Sequence, residues 1–277
     1  MKAQKILFIT QEISPFLVDT PYSIFGKELP ESFLEKSREI RTFMPKWGEV
    51  NERRNMLHEV IRLSGINLII NDSDHPLLIK VASVPVSRLQ VYFIDNDDYF
   101  HKRHMLLDNK GKEYKDNAER AVFYARGVLE TMKKLRWVPD IVFCQGWISS
   151  IVPLYIKTAY NEEPSFRDCR VIYMPLEGGP VATLPKNFPD VLQYRSANID
   201  ACKSLGPKMT MQSLQKLGML YADSITLYEP NEEIQAYAKK IKKPVFVRPE
   251  EIDLKTSFHE YIDSVWSFGK PEDDEED

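Results

Sequence analysis

The chain has 277 residues, 43% of them hydrophobic and 28% charged, which is enough apolar material for one large α/β domain with a short tail. A net charge of -4 gives no positive footprint, and so excludes a nucleic-acid backbone or an anionic membrane surface as the main partner. The three cysteines, Cys144, Cys169 and Cys202, are an odd number without metal-ligand spacing, which argues against a disulfide framework and fits a reducing cytoplasm.

In chain order, the apolar core of the N-terminus runs only from Ile6 to Ile9, too short for a signal sequence or a membrane span, so a soluble, unsecreted chain is expected. Lys5–Thr10 has the short apolar run of a strand buried on both faces and opens into a polar loop, Gln11–Thr20. Ser23 is placed to cap a helix over about 24–37, and Ile40–Met44 is a second strand stopped by Pro45. From Ile66 to Asn96, three strand-like runs separated by Asn71-Asp72-Ser73-Asp74 and by the Pro85 region predict strands joined by turns, a hairpin insertion or a sheet-edge excursion. Asp116 with Glu119 three residues on resembles a capping box, although Asp replaces the usual Ser or Thr. Ala121, Ala125, Val128, Met132 and Leu135, widened by Val122 and Leu129, then mark one buried helical face.

Pro139 ends that helix, Ile141–Cys144 is a short buried strand, and 148–159 reads as an apolar helix behind it. Val171–Met174 is the next strand, followed by a loop with Gly178-Gly179. Helix, strand and helix are predicted at 209–221, 224–228 and 231–241, the last capped by Asn231, with a short strand at 245–247. The fold class is therefore α/β, a Rossmann-like doubly wound sheet, mainly parallel, over residues 1–250. Residues 251–277 form a C-terminal extension whose acidic tail, Pro271–Asp277, is expected to be disordered.

In such a sheet ligands bind beyond the carboxyl ends of the strands, which selects the loops beginning at Gln11, Gln145, Pro175 and Glu229. Trp147 is a candidate for stacking on a ligand ring, although packing is the commoner use of a strand-helix tryptophan, and Glu177 with its glycines is a candidate pocket wall. Cys144 ends a buried strand and reads as an inert thiol. His101 and His104 lack a companion ligand set and read as surface residues, so no metal site and no cofactor are expected.

Four stretches, KILFITQEISPF at the start, VYFIDNDDYF at 91–100, YKDNAERAVFYARGVLETMKKLRWVPDIVFCQGW at 114–147 and LQKLGMLYADSITL at 214–227, carry a resemblance. In that order they resemble the N-terminal domain of glycogen and starch synthases, retaining ADP-glucose-dependent glucosyltransferases of the GT-B fold. The resemblance implies that this chain equals one half of a GT-B enzyme of glycogen metabolism, and that Glu12 matches a family glutamate able to bond a glucan hydroxyl. It also treats Asp95, Asp97 and Asp98 as scaffold.

The departures from the family pattern fall on its site. The Lys-x-Gly-Gly loop aligns with Val18-Asp19-Thr20-Pro21, where Pro21 removes an amide donor and Val18 a positive charge. The family's His-Asp-Trp becomes Gln145-Gly146-Trp147, and its next histidine falls at Pro175, which neither donates a hydrogen bond nor exchanges a proton. The chain as given stops before the family's second, donor-binding domain. The expectation is a degenerate site with no catalytic residue and with Glu12, Gln145, Trp147 and Glu177 as sugar-binding candidates: a non-catalytic glucan-binding or regulatory module. Its expected partners are an α-glucan or nucleotide-sugar ligand, and a protein partner or second copy on the exposed half-cleft. Two alternatives stand beside it, a glucosyltransferase subunit active with a separate C-terminal domain and a small-molecule enzyme with repurposed Gln145 and Glu177 loops.

Overall fold

Strand β1 (Lys5–Ile9) is a run of five residues with Ile6 to Ile9 buried, as expected of a strand covered on both faces. In the computed structural model, which describes residues 2–206, 209–229, 231–247, 249 and 252–269, the chain continues through α1 (Pro21–Glu35) and β2 (Glu39–Pro45). Next come β3 (His58–Glu59), β4 (Ile66–Ile70), β5 (Ser73–Ser83) and β6 (Gln90–Asp95). The second half contains α2 (Asn117–Leu135), β7 (Ile141–Gln145), α3 (Val152–Lys157), β8 (Arg170–Met174), α4 (Phe188–Leu192), α5 (Met211–Tyr221), β9 (Ser224–Leu227), α6 (Glu232–Lys240), β10 (Val245–Val247) and α7 (Leu254–Ser267).

The sheet order is β10-β9-β8-β7-β1-β2-β6-β5-β3, with β4 paired to β5. From β10 to β6 the neighbours are parallel; β5 is antiparallel to β6, β3 and β4. The predicted excursion is thus the antiparallel edge of an otherwise parallel, doubly wound sheet. Its turn places Asn71 and Asp72 at φ 49° and 60°, the positive-φ pair that a two-residue hairpin requires and that Asn and Asp tolerate. β1 pairs with both β2 and β7, so chain order reverses beside it and a crevice is expected there.

Local chemistry relocates several predicted boundaries. Thr20, not Ser23, caps α1: the Thr20 hydroxyl accepts the Ser23 amide at 2.9 Å while the Thr20 amide donates to Ser23 Oγ at 2.8 Å, and Pro21 occupies the first turn, where no amide is missed. Asp116 makes no side-chain cap; its carboxylate accepts from Arg103, and Glu119 takes the Tyr99 hydroxyl at 3.0 Å. The helix predicted over 148–159 splits into a 3₁₀ turn, Trp147–Ser149, and α3, because Pro153 cannot supply an amide to continue the preceding turn. α2 is buried well beyond its predicted stripe, down to Phe123 and Tyr124, and Gly127 lets it approach Ile94 and Leu77 of β6 and β5.

α7 has no counterpart in the sequence reading. It packs Phe258 and Ile262 into the core and is tied to the connection between α1 and β2 by Arg38, whose two terminal nitrogens each donate to Asp263 at 2.7 Å. The predicted acidic tail lies outside the described residues. His259 stacks on Phe33 with 3.9 Å between ring centroids and shares a 2.8 Å hydrogen bond with Ser32. Burial, reinforced by Lys36 and Arg38 against the opposing Asp263 and Asp253, lowers its pKa to about 4.

At the reversal of chain order, Gly146 follows β7 with φ 80° and ψ 177°, a conformation essentially reserved for glycine, and the Gln11 side-chain amide fills the space a Cβ would take.

Two consequences are measurable. The unfolded state binds a proton at His259 more readily than the folded state, so this contribution is complete above the ordinary histidine range and is lost as pH falls from about 6.5 towards 4, by up to about 3 kcal/mol. Denaturant titrations at pH 7 and 5 should show part of that loss, up to about 2 kcal/mol, and a His259→Phe variant should be less pH-sensitive over this range; equal sensitivity would refute the assignment. Gly146→Ala should destabilise by about 2–3 kcal/mol through backbone strain and the displaced Gln11, read as a lowered denaturation midpoint.

Candidate functional site

The loop leaving β1 is held from beneath by Trp47, whose indole nitrogen donates to the Gln11 carbonyl at 2.6 Å. This turns Glu12 inward, where it is 3% exposed. Its carboxylate accepts Gln11 Nε2 at 2.7 Å on one oxygen and the Thr20 hydroxyl at 2.6 Å on the other. Because Thr20 is also the cap of α1, a carboxylate of the protein itself sits at that helix's amino terminus, the place where a phosphate would otherwise be favoured. Of the first-turn amides, Thr20 and Ser23 are spent on the capping box and Pro21 has none. Val18, beside this turn, is 83% exposed and its side chain offers no polar group.

The loop leaving β7 is equally closed. Gln145 is completely buried, donates through Nε2 to the Tyr22 carbonyl at 3.1 Å, and abuts Gly26 of α1, the lack of a side chain there giving it room. Trp147 is 1% exposed and lies between Trp47, 6.2 Å away between centroids, and the backbone of Gly179. Gln11 Oε1, Gln145 Oε1 and Trp147 Nε1 have no hydrogen-bond partner among the described residues.

The loop leaving β8 opens instead. Pro175 to Val181, with α5, α6 and Trp147, line a cleft of about 320 Å³. The loop is fixed by Gln215 of α5, which accepts the Leu176 amide at 2.8 Å and donates to the Leu176 carbonyl at 2.9 Å. Glu177 is exposed at the mouth and accepts Asn231 Nδ2 at 2.6 Å. The mouth is acidic: the Tyr22 hydroxyl has its pKa raised by burial and then by Glu177, Glu229 and Glu12.

Of the four candidate sugar-binding residues, Glu12 and Gln145 are packed into the switch point, Trp147 forms the inner wall of the cleft, and Glu177 stands at its mouth. Asn231 was legible as a helix cap, and it does accept the Ile234 amide at 2.9 Å; its second role towards Glu177 was not. Gln215 carried no signal, since a glutamine inside a helix reads as solvated surface. Cys144 is a core thiol whose burial raises its pKa well above the usual range. The carboxylates at 95–98 are divided, Asp95 pairing with Lys80 at 2.8 Å and Asp98 with His75 at 2.9 Å. His104 pairs with Glu49 at 2.9 Å. Among the described residues no group of three His, Cys, Asp or Glu side chains is placed to hold a metal ion, and no helix is long and apolar enough to cross a membrane.

Residues 5–248 match the family model described as starch synthase catalytic domain. The glycogen synthase of Chlorobium phaeovibrioides is 34% identical over 242 residues, covering 84% of this chain and 48% of the relative. That of Pelodictyon phaeoclathratiforme is 36% identical over 170 residues, covering 61% and 35%. The chain thus spans less than half the length of these curated relatives. The solved catalytic domain of starch synthase IV from Arabidopsis thaliana, bound to ADP and acarbose, superposes with a TM-score of 0.70 at 14% identity over 89% of this chain and 51% of that one, so the two share a fold. With the starch synthase model spanning the sheet from β1 to β10, the chain belongs to the glycogen and starch synthase family.

Proposed function

We propose that this chain is a non-catalytic member of its family, a cytoplasmic module that holds an α-glucan in the cleft beyond β8 and has no place for a nucleoside diphosphate. The observation that carries this reading is the carboxylate of Glu12 hydrogen-bonded at 2.6 Å to the Thr20 cap of α1. A diphosphate approaching this helix would lose the dipole's attraction to a charge already present, and would meet Glu12, Glu177 and Glu229 without a neighbouring lysine in the loop.

A neutral, polyhydroxyl ligand has no such penalty. Glu177 and Gln212 supply acceptors and an amide donor at the cleft, suited to sugar hydroxyls, and the volume fits a small number of sugar units. The absence of turnover in this reading rests on the residues present. Glycosyl transfer needs preorganised charge facing the developing cation and the leaving phosphate, and the positions that would face them hold Gly146, Pro175 and a buried, engaged Gln145.

Isothermal titration with ADP, ADP-glucose and maltooligosaccharides in parallel tests the proposal. Maltooligosaccharides should bind saturably, and Glu177→Ala should weaken them by about three- to tenfold, the loss of one or two hydrogen bonds. ADP and ADP-glucose should give no saturable heat. Tight nucleotide binding, or transfer of glucose from ADP-glucose to a glucan, would overturn it.

A further inference from the structure

The opposite end of the sheet has a second cavity, of about 620 Å³, between the amino-terminal ends of β8, β9 and β10 and the last turns of α7. Its charges do not balance. Asp223 is the one carboxylate among its described lining residues, and it is already engaged: Oδ2 accepts the Val171 amide and Lys157 Nζ, each at 2.7 Å, while Oδ1 lies 4.0 Å from Arg170. Against it stand Arg170, whose Nη2 also donates to the neutral Phe268 carbonyl at 3.1 Å, and Lys242 and Lys243 in the lining, with Lys157 beside them.

Lys243 is half-buried and donates to the Ala222 carbonyl, and among the described residues neither Lys242 nor Lys243 forms an ion pair. Burial lowers the Lys243 pKa from the usual lysine range. An ammonium taken partly out of water without a counter-ion carries a cost that a bound anion would offset. The nearby hydroxyls have spent their protons internally: Tyr261 donates to Ser224 Oγ at 2.7 Å and Ser264 to the Tyr261 carbonyl at 2.7 Å. Donors to an anion must therefore come from the cations. The remaining wall is apolar, formed by Val265 and by Phe268, which is 80% exposed. On a chain of net charge -4 this is a local reversal of sign with a hydrophobic surface beside it.

We propose that this cavity binds a small organic phosphate, its phosphomonoester held by Arg170 and Lys243 with Lys242 at the rim, and its organic body against Val265 and Phe268. A guanidinium and an ammonium converging on one dianion form charge-assisted hydrogen bonds, and the volume lies within the range of small-molecule sites, roughly 300–1,000 Å³. The site lies at the opposite end of the strands from the glucan cleft and stands independently of that reading.

Phenyl phosphate, inorganic phosphate and phenol, titrated separately into the full chain, distinguish the two halves of the proposed site. Phenyl phosphate should bind saturably, more tightly than inorganic phosphate and less tightly as salt is raised, and phenol should not bind. Lys243→Met should weaken phenyl phosphate by about tenfold or more. Phe268→Ala should weaken phenyl phosphate several-fold and leave inorganic phosphate unchanged. Because Lys243 is half-buried, Lys242→Met at the exposed rim provides a second variant with little risk to the fold, and it should also lose affinity. The proposal is overturned by no saturable binding of phenyl phosphate up to about 10 mM, by equal affinity for the two anions, or by unchanged affinity in both lysine variants.

Discussion

The contact on which the candidate site turns is the hydrogen bond from the Thr20 hydroxyl to Glu12. It joins the end of β1 to the start of α1, and it depends on a second set of contacts: Trp47 pinning the Gln11 carbonyl, Gln11 donating to the other oxygen of Glu12, and Gly146 leaving room for the Gln11 side chain. Buried carboxylates persist only where their lone pairs are satisfied, so these residues form one polar unit at the centre of the sheet. The glycine conformation after β7 and the carboxylate before α1 are thus parts of the same closure.

That closure separates two uses of one fold. A doubly wound sheet concentrates ligand-accessible backbone at the carboxyl ends of its strands, beside the reversal of chain order. In this chain the first two loops at that position are packed against one another, and open space is displaced to the loop after β8, where Gln215 and Asn231 hold Leu176 and Glu177. The electrostatics follow the same division. Carboxylates gather around Tyr22 at one end of the strands, whereas among the described residues Arg170, Lys157, Lys242 and Lys243 share an engaged Asp223 at the other. Formal charge alone, a modest negative total, conceals this separation.

α7 links the basic end to the core. Its Asp263 carboxylate neutralises Arg38 after α1, His259 stacks on Phe33 of the same helix, and its last turns wall the basic cavity. The helix is thereby part of the same packed body as the sheet, and protonation of His259 would strike at the contact that holds it there.

The sequence by itself determined the alternation of strands and helices, the hairpin with its turn within Asn71-Asp72-Ser73-Asp74, the Asn231 cap and the family, because each rests on local periodicity, turn chemistry or motifs contiguous in the chain. It marked Glu12, Gln145 and Trp147 by position. Only the tertiary structure decided that Glu12 and Gln145 face inward, since their exposure depends on Trp47, Tyr22 and Gly26, which are distant in sequence from at least one partner. Boundaries failed for the same reason: Ser23 and Asp116 have suitable side chains for capping, but Thr20 competes for the first role and Arg103 claims the second. α7 and the basic cavity escaped the sequence reading because Arg38 and Asp263, or Arg170 and Lys243, carry no pattern until the fold brings them together. Periodicity reports which face of an element is buried; what that face meets is a property of the assembled chain.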